Sequence, residues 1–246
     1  RLSTYSYECL KDVREREQIE YDQCADGVLH LFASQQELDS AAAAELGHAD
    51  SRFHPEVIDI RRCLEIEPAL AESAGRYAGA LHFSQDESGD AYKFTHALAA
   101  AARRQGVIFR YGVALRRLRS EGGRIIAVDT DQGRFEADSY VMSLGSFSPL
   151  FLRKIGMRVP IYPLKGYSVT VPTAGYHGAP RLAIHEGSRR IVMSRIGERL
   201  RAAGTAELTG YDSNISATRT QAILDVTMAV FPECGDATKA ERWAGF

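Results

Sequence analysis

The sequence predicts an α/β (α+β) fold in which long antiparallel strands are interleaved with helices. Three observations predict it. Residues 2–17 carry apolar side chains at helical spacing, and a second helix over 91–105 is bounded by a capping residue and a glycine. The block from Gly106 to Ser148 carries Val, Ile, Phe and Tyr at roughly alternating positions between glycine turns, as half-buried strands do. Short apolar segments between residues 164 and 203 predict further strands, and no linker separates the helical and strand-forming regions.

The first ninety residues contain clear start and stop signals. Ser34 and Glu37 have the spacing of a capping box, in which the serine accepts from the backbone of the glutamate and the glutamate reaches back. Asp90 is placed to cap the helix that ends before Gly106. The elements predicted here are a helix over 2–17, strands at 21–23 and 28–32, a helix from 34 to about 48, a short helix from 59 to about 68, and a strand at 77–83.

The Gly106–Ser148 block predicts a series of strands. A short strand follows Gly106, and a second precedes the tight turn at Gly122-Gly123. The block continues with a strand over 124–130, a turn at 131–133, a strand over 134–137 and an apolar strand over 140–144. The rest of the chain predicts a helix from 148 to about 155, strands at 164–171, 182–184, 190–194 and 200–203, and a helix from 216 to 231 that ends before Pro232.

Composition excludes some classes of function. The 246 residues carry a formal net charge of -2, which gives no electrostatic case for binding nucleic acid. The four cysteines have no CxxC spacing, which indicates a reducing compartment and argues against a zinc site. No apolar run approaches the ~20 residues of a membrane span. The abrupt start at Arg1, without methionine, and the apolar end at Phe246 predict a fragment of a longer protein.

A search for catalytic motifs is mostly negative. The sequence lacks the GxGxxG, P-loop, HExxH and GxSxG patterns, and the acidic stretch 86–90 does not match a calcium loop, so we predict no metal site. His185, beside Glu186, is a candidate general base, but a partly solvated histidine at a strand end is the favoured alternative. Tyr162, Tyr167 and Tyr176 surround Lys165 in the sequence and either line a pocket or simply occupy strands.

Several runs carry a family resemblance. They include ESGDAYKFTHALAAAARRQGVIFRYGVALRRL (87–118), ADSYVMSLGSFSPLFL (137–152) and, above all, VPIYPLKGYSVTVP (159–172). These runs resemble the D-amino acid oxidase-like family of FAD-dependent amine oxidoreductases, in its dehydrogenase branch. The resemblance extends over the whole chain. The family's glycine-rich FAD turn and its substrate-binding arginine have no counterpart in residues 1–246.

The resemblance implies an incomplete FAD-binding domain interleaved with a substrate domain built on a large mixed or antiparallel sheet. Residues 1–83 are then mainly substrate domain, 84–148 part of the FAD-binding domain, and 149–246 substrate-binding domain. Leu115 matches the position where the family's backbone meets the adenine, and Leu144, Gly145 and Ser146 match the strand end near the FAD pyrophosphate. The substrate candidates that the resemblance implies are Tyr167 and His185, and no catalytic side chain is assigned.

The activity that the resemblance implies is oxidative deamination of D-amino acids. A hydride passes from the substrate Cα to the flavin, and the imino acid hydrolyses to a 2-oxo acid and ammonia. Electrons then pass to a membrane quinone, which implies a cytoplasmic protein lying on the inner membrane. Two alternatives stay open: a different amine substrate, such as glycine, sarcosine or proline, or an inactive substrate-domain module. Because the dinucleotide turn has no counterpart here, we expect the chain alone to bind FAD weakly and to be inactive.

Overall fold

The computed structural model describes residues 2–46 and 54–246. The α-helices in these residues are α1 (Leu2–Glu17), α2 (Gln35–Leu46), α3 (Ile60–Ile66), α4 (Ala91–Arg104), α5 (Ser148–Leu152) and α6 (Ala217–Val230). The strands are β1 (Val28–Phe32), β2 (Glu56–Asp59), β3 (Gly79–Phe83), β4 (Leu115–Glu121), β5 (Arg124–Thr130), β6 (Gly133–Phe135), β7 (Lys165–Pro172), β8 (Ala183–Glu186), β9 (Ile191–Ile196), β10 (Arg199–Glu207) and β11 (Glu241–Gly245). Among the described helices, none has both the length and the apolar composition that crossing a bilayer requires.

The described residues form two compact units. Unit 1 comprises Arg1–Ala101, Gly166–Ala206 and Ser213–Gly245, and unit 2 comprises Ala102–Lys165, Glu207–Asp212 and Phe246. The chain therefore passes repeatedly from one unit to the other, as the interleaved fold class predicts. The domain boundaries at residues 83 and 148 stay a prediction.

Unit 1 is built on an eight-stranded mixed sheet in the order β11-β7-β10-β9-β8-β1-β3-β2. β1 pairs with β8 in parallel and with β3 antiparallel. Alternate side chains on the strands point to opposite faces, and one face carries the buried core, in which Leu29, Ile184 and Val169 pack together with residues of α6 such as Ile223. This burial of apolar surface is the main force that holds the long-range strand order together.

Unit 2 contains the antiparallel sheet β4-β5-β6. β4 and β5 are joined by the turn at Gly122 and Gly123, whose φ angles of +57° and +78° suit glycine because it has no Cβ to clash with the backbone. The turn predicted between residues 131 and 133 joins β5 to β6. The glycine-turn chemistry of this block is confirmed.

The predicted helix starts are confirmed by their capping contacts. The Ser34 hydroxyl accepts from the Glu37 backbone N–H at 3.3 Å, and a Glu37 carboxylate oxygen accepts from the Ser34 N–H at 3.3 Å. Asp90 Oδ1 accepts from the backbone N–H groups of Tyr92 and Lys93. The predicted end of the second helix near residue 48 lies outside the described residues.

Three predicted strands are wrong. Residues 21–23, the segment after Gly106 and residues 140–144 are not strands in the structure. A strand requires a neighbour to pair its N–H and C=O groups, and within the described residues these segments have no such ladder. Instead, the Tyr140 hydroxyl donates to the Ile126 carbonyl and accepts from the Ala137 N–H, both at 2.8 Å. β2 and β11 were missed by the sequence patterns.

Candidate functional site

The predicted pyrophosphate contacts form a turn in unit 2. Leu144 is followed by a single 3₁₀ turn, Gly145–Phe147, which leads directly into α5. Gly145 has a φ of +51°, in the left-handed region that favours glycine. A Cβ built at Gly145 would meet no heavy atom within 4 Å, so the backbone of the turn faces open space. The open backbone at Gly145 is compatible with a ligand group that approaches the chain closely, and the pyrophosphate contact stays a prediction.

A tyrosine from a distant part of the chain contacts this turn. The Tyr211 hydroxyl donates to the Ser146 carbonyl at 2.7 Å. The Tyr211 ring lies 5.3 Å from the Phe147 ring, and the Phe246 ring lies 6.1 Å from Tyr211 and 6.3 Å from Phe147. The turn is therefore restrained by one hydrogen bond to the Ser146 carbonyl and by the ring contacts of Phe147.

A cleft of about 500 Å³ lies beside Tyr211. Two arginines, Arg153 and Arg158, lie among apolar and aromatic residues in its lining and make it suitable for an anionic or aromatic group. Tyr162, one of the three tyrosines that the sequence placed near Lys165, also lines this cleft. Arg153 is oriented by its Nε, which donates to the Pro149 carbonyl at 3.1 Å.

Lys165 is the most deeply buried cation described in the structure. Its side chain is 2% exposed, and its Nζ lies 3.2 Å from Glu207 Oε2 and 3.4 Å from Asp212 Oδ2. A buried ammonium group is tolerated only where opposite charges compensate for its lost hydration. The ion pairs therefore fix the first residue of β7 to both ends of the short segment Glu207–Asp212.

Leu115 is the first residue of β4, where it pairs with Thr130 and is half-buried. The register shifts between Leu115 and Arg117, which leaves the intervening backbone outside the regular ladder. Such a bulge is compatible with the backbone contact to adenine that the resemblance implies. All four predicted cofactor residues thus lie in unit 2.

Both predicted substrate residues lie in unit 1. Tyr167 is 2% exposed and shares the core face of β7 with Val169 and Val171. The guanidinium group of Arg219 lies 5.8 Å from the centre of its ring. Tyr167 therefore packs within the core, while Tyr176, the third tyrosine of the predicted group, is exposed.

His185 lies on the opposite face of the sheet. It is the register partner of His30 on the neighbouring parallel strand, and the two rings are perpendicular with their centres 4.5 Å apart. Burial, and secondarily the His185 ring, lowers the pKa of His30 to about 4. Burial also lowers the pKa of His185, against an opposing effect of Glu186. Both imidazoles are therefore neutral near pH 7, and each has one ring nitrogen that can accept a hydrogen bond.

The comparison with known proteins decides the family. The family model described as FAD dependent oxidoreductase, DAO, matches residues 1–246. The chain belongs to this family. The prediction of a flavin-dependent family is thereby confirmed.

Curated members of the family resemble the chain along its whole length. Three proteins named D-amino acid dehydrogenase are 43% identical (Paramagnetospirillum magneticum), 39% identical (Cereibacter sphaeroides) and 40% identical (Rhizobium rhizogenes), each over 100% of this chain. The chain spans 58%, 56% and 59% of those relatives, respectively.

Solved structures support the fold. The L-proline dehydrogenase of P. horikoshii matches with a TM-score of 0.81 at 17% identity, over 98% of this chain and 65% of that protein. The glycine oxidase of Geobacillus kaustophilus matches with a TM-score of 0.77 at 22% identity, over 98% of this chain and 64% of that protein. At these identities the likeness concerns the fold alone.

Sequence reasoning missed Tyr211 and His30, and it recognised Lys165 only as part of a motif. Tyr211 lies 65 residues from Ser146, and His30 lies on a strand whose partner β8 begins at Ala183. Local patterns carry no signal for such pairs. The one available signal was the cation between Leu164 and Gly166, because a lysine at the start of an apolar strand needs a counter-charge.

Proposed function

We propose that this chain forms part of an FAD-dependent enzyme that oxidatively deaminates D-amino acids to 2-oxo acids and ammonia. The observation that carries the proposal is the identity of 39–43% over the entire chain with three proteins named D-amino acid dehydrogenase. The likeness to structures of glycine and proline enzymes is lower in identity and does not favour those substrates.

The residues for the cofactor are those of the unit 2 turn and of β4. Leu144, Gly145 and Ser146 would hold the pyrophosphate side through their backbone, and Leu115 would contact the adenine through its backbone. FAD, when bound, supplies the acceptor for the hydride that leaves the substrate Cα. The open space at Gly145 supports this assignment, because any side chain there would occupy the approach to the backbone.

The substrate side rests on the large sheet of unit 1. His185 is half-buried on the face of the sheet opposite the core, and burial lowers the pKa of its ring. At neutral pH the ring would therefore be uncharged and would contact the substrate amino group as a hydrogen-bond acceptor. Tyr167 is buried in the core, so it would affect the substrate side indirectly, by holding β7 in position. Both roles are part of the proposal.

The acceptor and location complete the proposal. Electrons pass from the reduced cofactor to a quinone of the respiratory chain, and the protein lies on the cytoplasmic side of the inner membrane. Reduction of a soluble quinone analogue by D-alanine in the presence of the protein tests this point. If a dye or oxygen is reduced but the quinone analogue is not, the quinone is ruled out as acceptor.

The decisive experiment compares substrates with the full-length gene product loaded with FAD. We expect D-alanine and other D-amino acids to be oxidised with an artificial electron acceptor, and the L-enantiomers to be inert. Oxidation of glycine, sarcosine or proline without D-amino acid turnover would assign the protein to another amine. The absence of visible flavin absorbance in the full-length product would favour a binding module without catalysis.

A further inference from the structure

Lys165 holds both ends of the short segment that follows β10. Its Nζ pairs with Glu207, the last residue of β10, at 3.2 Å and with Asp212 at 3.4 Å. The two carboxylates are 25% and 44% exposed, whereas the lysine side chain is 2% exposed. The buried lysine is therefore bound at both ends of the more exposed segment 207–212.

The same segment also contacts the turn at Gly145–Phe147 through Tyr211. Gly210 has a φ of +62°, in the left-handed region that favours glycine, and it bends the backbone immediately before Tyr211. The Tyr211 hydroxyl donates to the Ser146 carbonyl at 2.7 Å, and its ring packs on Phe147. Asp212, which is bound by Lys165, is the covalent neighbour of Tyr211. The ion pair between Lys165 and Asp212 therefore restrains the backbone that carries Tyr211, and Tyr211 in turn is hydrogen-bonded to the turn.

The turn needs such a restraint on one side. A Cβ at Gly145 would meet nothing within 4 Å, so side-chain packing does not hold that face of the backbone. A glycine in the left-handed region has more freedom than any other residue, and ordering its backbone costs about 1–2 kcal/mol of conformational entropy. A turn that is already ordered binds its ligand more tightly, because that ordering is not needed during binding.

We propose that Lys165 is a positioning residue for the cofactor, which acts through the segment 207–212 and Tyr211 to order the Gly145 turn. This inference rests on the proposed function, in that the turn receives FAD. Lys165 does not act as a direct charge for the phosphates, because its ammonium group is buried and is already neutralised by Glu207 and Asp212. Removing the Tyr211 hydroxyl and removing the Lys165 charge should therefore both weaken FAD binding, because both reduce the order of the Gly145 turn.

The test uses the full-length gene product with the variants K165M, K165R, Y211F and the double variant K165M/Y211F. The matched control is K154M, since Lys154 is exposed in the same unit and its Nζ lies over the Phe151 ring at 5.4 Å. We expect K165M to raise the Kd for FAD about tenfold and Y211F about fivefold, whereas K154M stays within about twofold. K165R keeps the charge but places a larger, planar group in a buried site, so we expect an intermediate increase of about threefold. In the K165M background, Y211F should add less than about twofold, because the two residues act in series.

Amide hydrogen exchange of the apoprotein provides a readout that needs no substrate. The amides of residues 145–148 should exchange about tenfold faster in K165M and in Y211F than in K154M. Additive effects on Kd, or unchanged exchange at 145–148 in Y211F, would overturn the positioning role. If K165M does not fold, D212N replaces it, because Asp212 is partly exposed and its loss leaves Lys165 paired with Glu207. A failure of D-amino acid turnover alone would overturn the proposed function and leave this result standing.

Discussion

Replacing Glu67 with alanine removes the acceptor for three backbone N–H groups in unit 1. The Glu67 carboxylate is 3% exposed and accepts from Arg181 N at 2.5 Å, from Leu182 N at 3.0 Å and from Ala69 N at 3.3 Å. It thereby joins the start of the 3₁₀ helix Pro68–Arg76 to the chain that enters β8. The hydrogen bonds to Arg181 and Leu182 span 114 and 115 residues of sequence, so they join two segments that local structure does not hold together.

The magnitude follows from the burial of each donor. A buried N–H group left without an acceptor costs about 1–3 kcal/mol, and a hydrogen bond to a charged group contributes about 1.5–3 kcal/mol. The Leu182 donor is buried, whereas water can reach the donors of Arg181 and Ala69 in part. We therefore expect E67A to lower the free energy of unfolding by about 3–4 kcal/mol, and E67Q, which keeps one acceptor oxygen, by about 1–2 kcal/mol.

The measurement is urea denaturation followed by circular dichroism, combined with hydrogen exchange at the Leu182 amide. The matched control is E72A, because Glu72 is an exposed glutamate on the same 3₁₀ helix and its loss should stay within about 0.5 kcal/mol. If E67A unfolds at the same urea concentration as E72A, or if Leu182 exchanges no faster, the three hydrogen bonds do not stabilise the unit as argued.

Three further predictions concern pH, a helix start and the cofactor turn. The pKa of His30 is about 4 when folded and about 6.5 when unfolded, so stability is lost as pH falls from the unfolded value toward the folded one. Wild type should lose about 1 kcal/mol more than H30F between pH 7 and pH 5, roughly half the full linkage because the ring is partly exposed. D90A should lower thermal stability by about 1–2 kcal/mol, since α4 loses its cap. G145A should cost about 1 kcal/mol and raise the Kd for FAD about tenfold.

Each of these has its own comparison. An unchanged pH slope in H30F would show that another group titrates. D90N keeps an acceptor oxygen, so it should retain most of the stability that D90A loses; equal losses would point to the Arg199 ion pair at 3.3 Å instead. Gly156 also has a positive φ, +82°, with open space around it. G156A should therefore cost similar stability without weakening FAD binding, and an equal loss of FAD affinity would contradict the role of Gly145.

Much of the fold could be predicted because its signals are local. The capping residues Ser34 and Asp90 define helix starts by hydrogen bonds that span only two or three residues. The glycine pair at 122–123 defines a hairpin through φ angles that other residues adopt only with strain. Predictions of this kind depend on one turn of chain, and the structure bears them out.

The wrongly predicted strands, the one after Gly106 and the one at 140–144, show the limit of the same reasoning. Both segments have the composition of strands, and both expose large apolar side chains, among them Ile108 at 80% and Val141 at 89%. Composition sets a preference for extended structure, but a strand exists only where another backbone lies beside it. Composition therefore indicates which conformation these residues favour, but a strand forms only if another strand is adjacent to them.

The sequence by itself determined the α/β class, most helix bounds, the glycine turns and the family. Only the tertiary structure decided which face each residue occupies. It placed Tyr167 in the core and His185 beside His30, and it brought Tyr211 to Ser146 across 65 residues. The physical reason is that capping and turn geometry depend on neighbours in sequence, whereas burial and charge pairing depend on neighbours in space. Lys165 belongs to both: its motif indicates the family, and its burial against Glu207 and Asp212 indicates what the residue does.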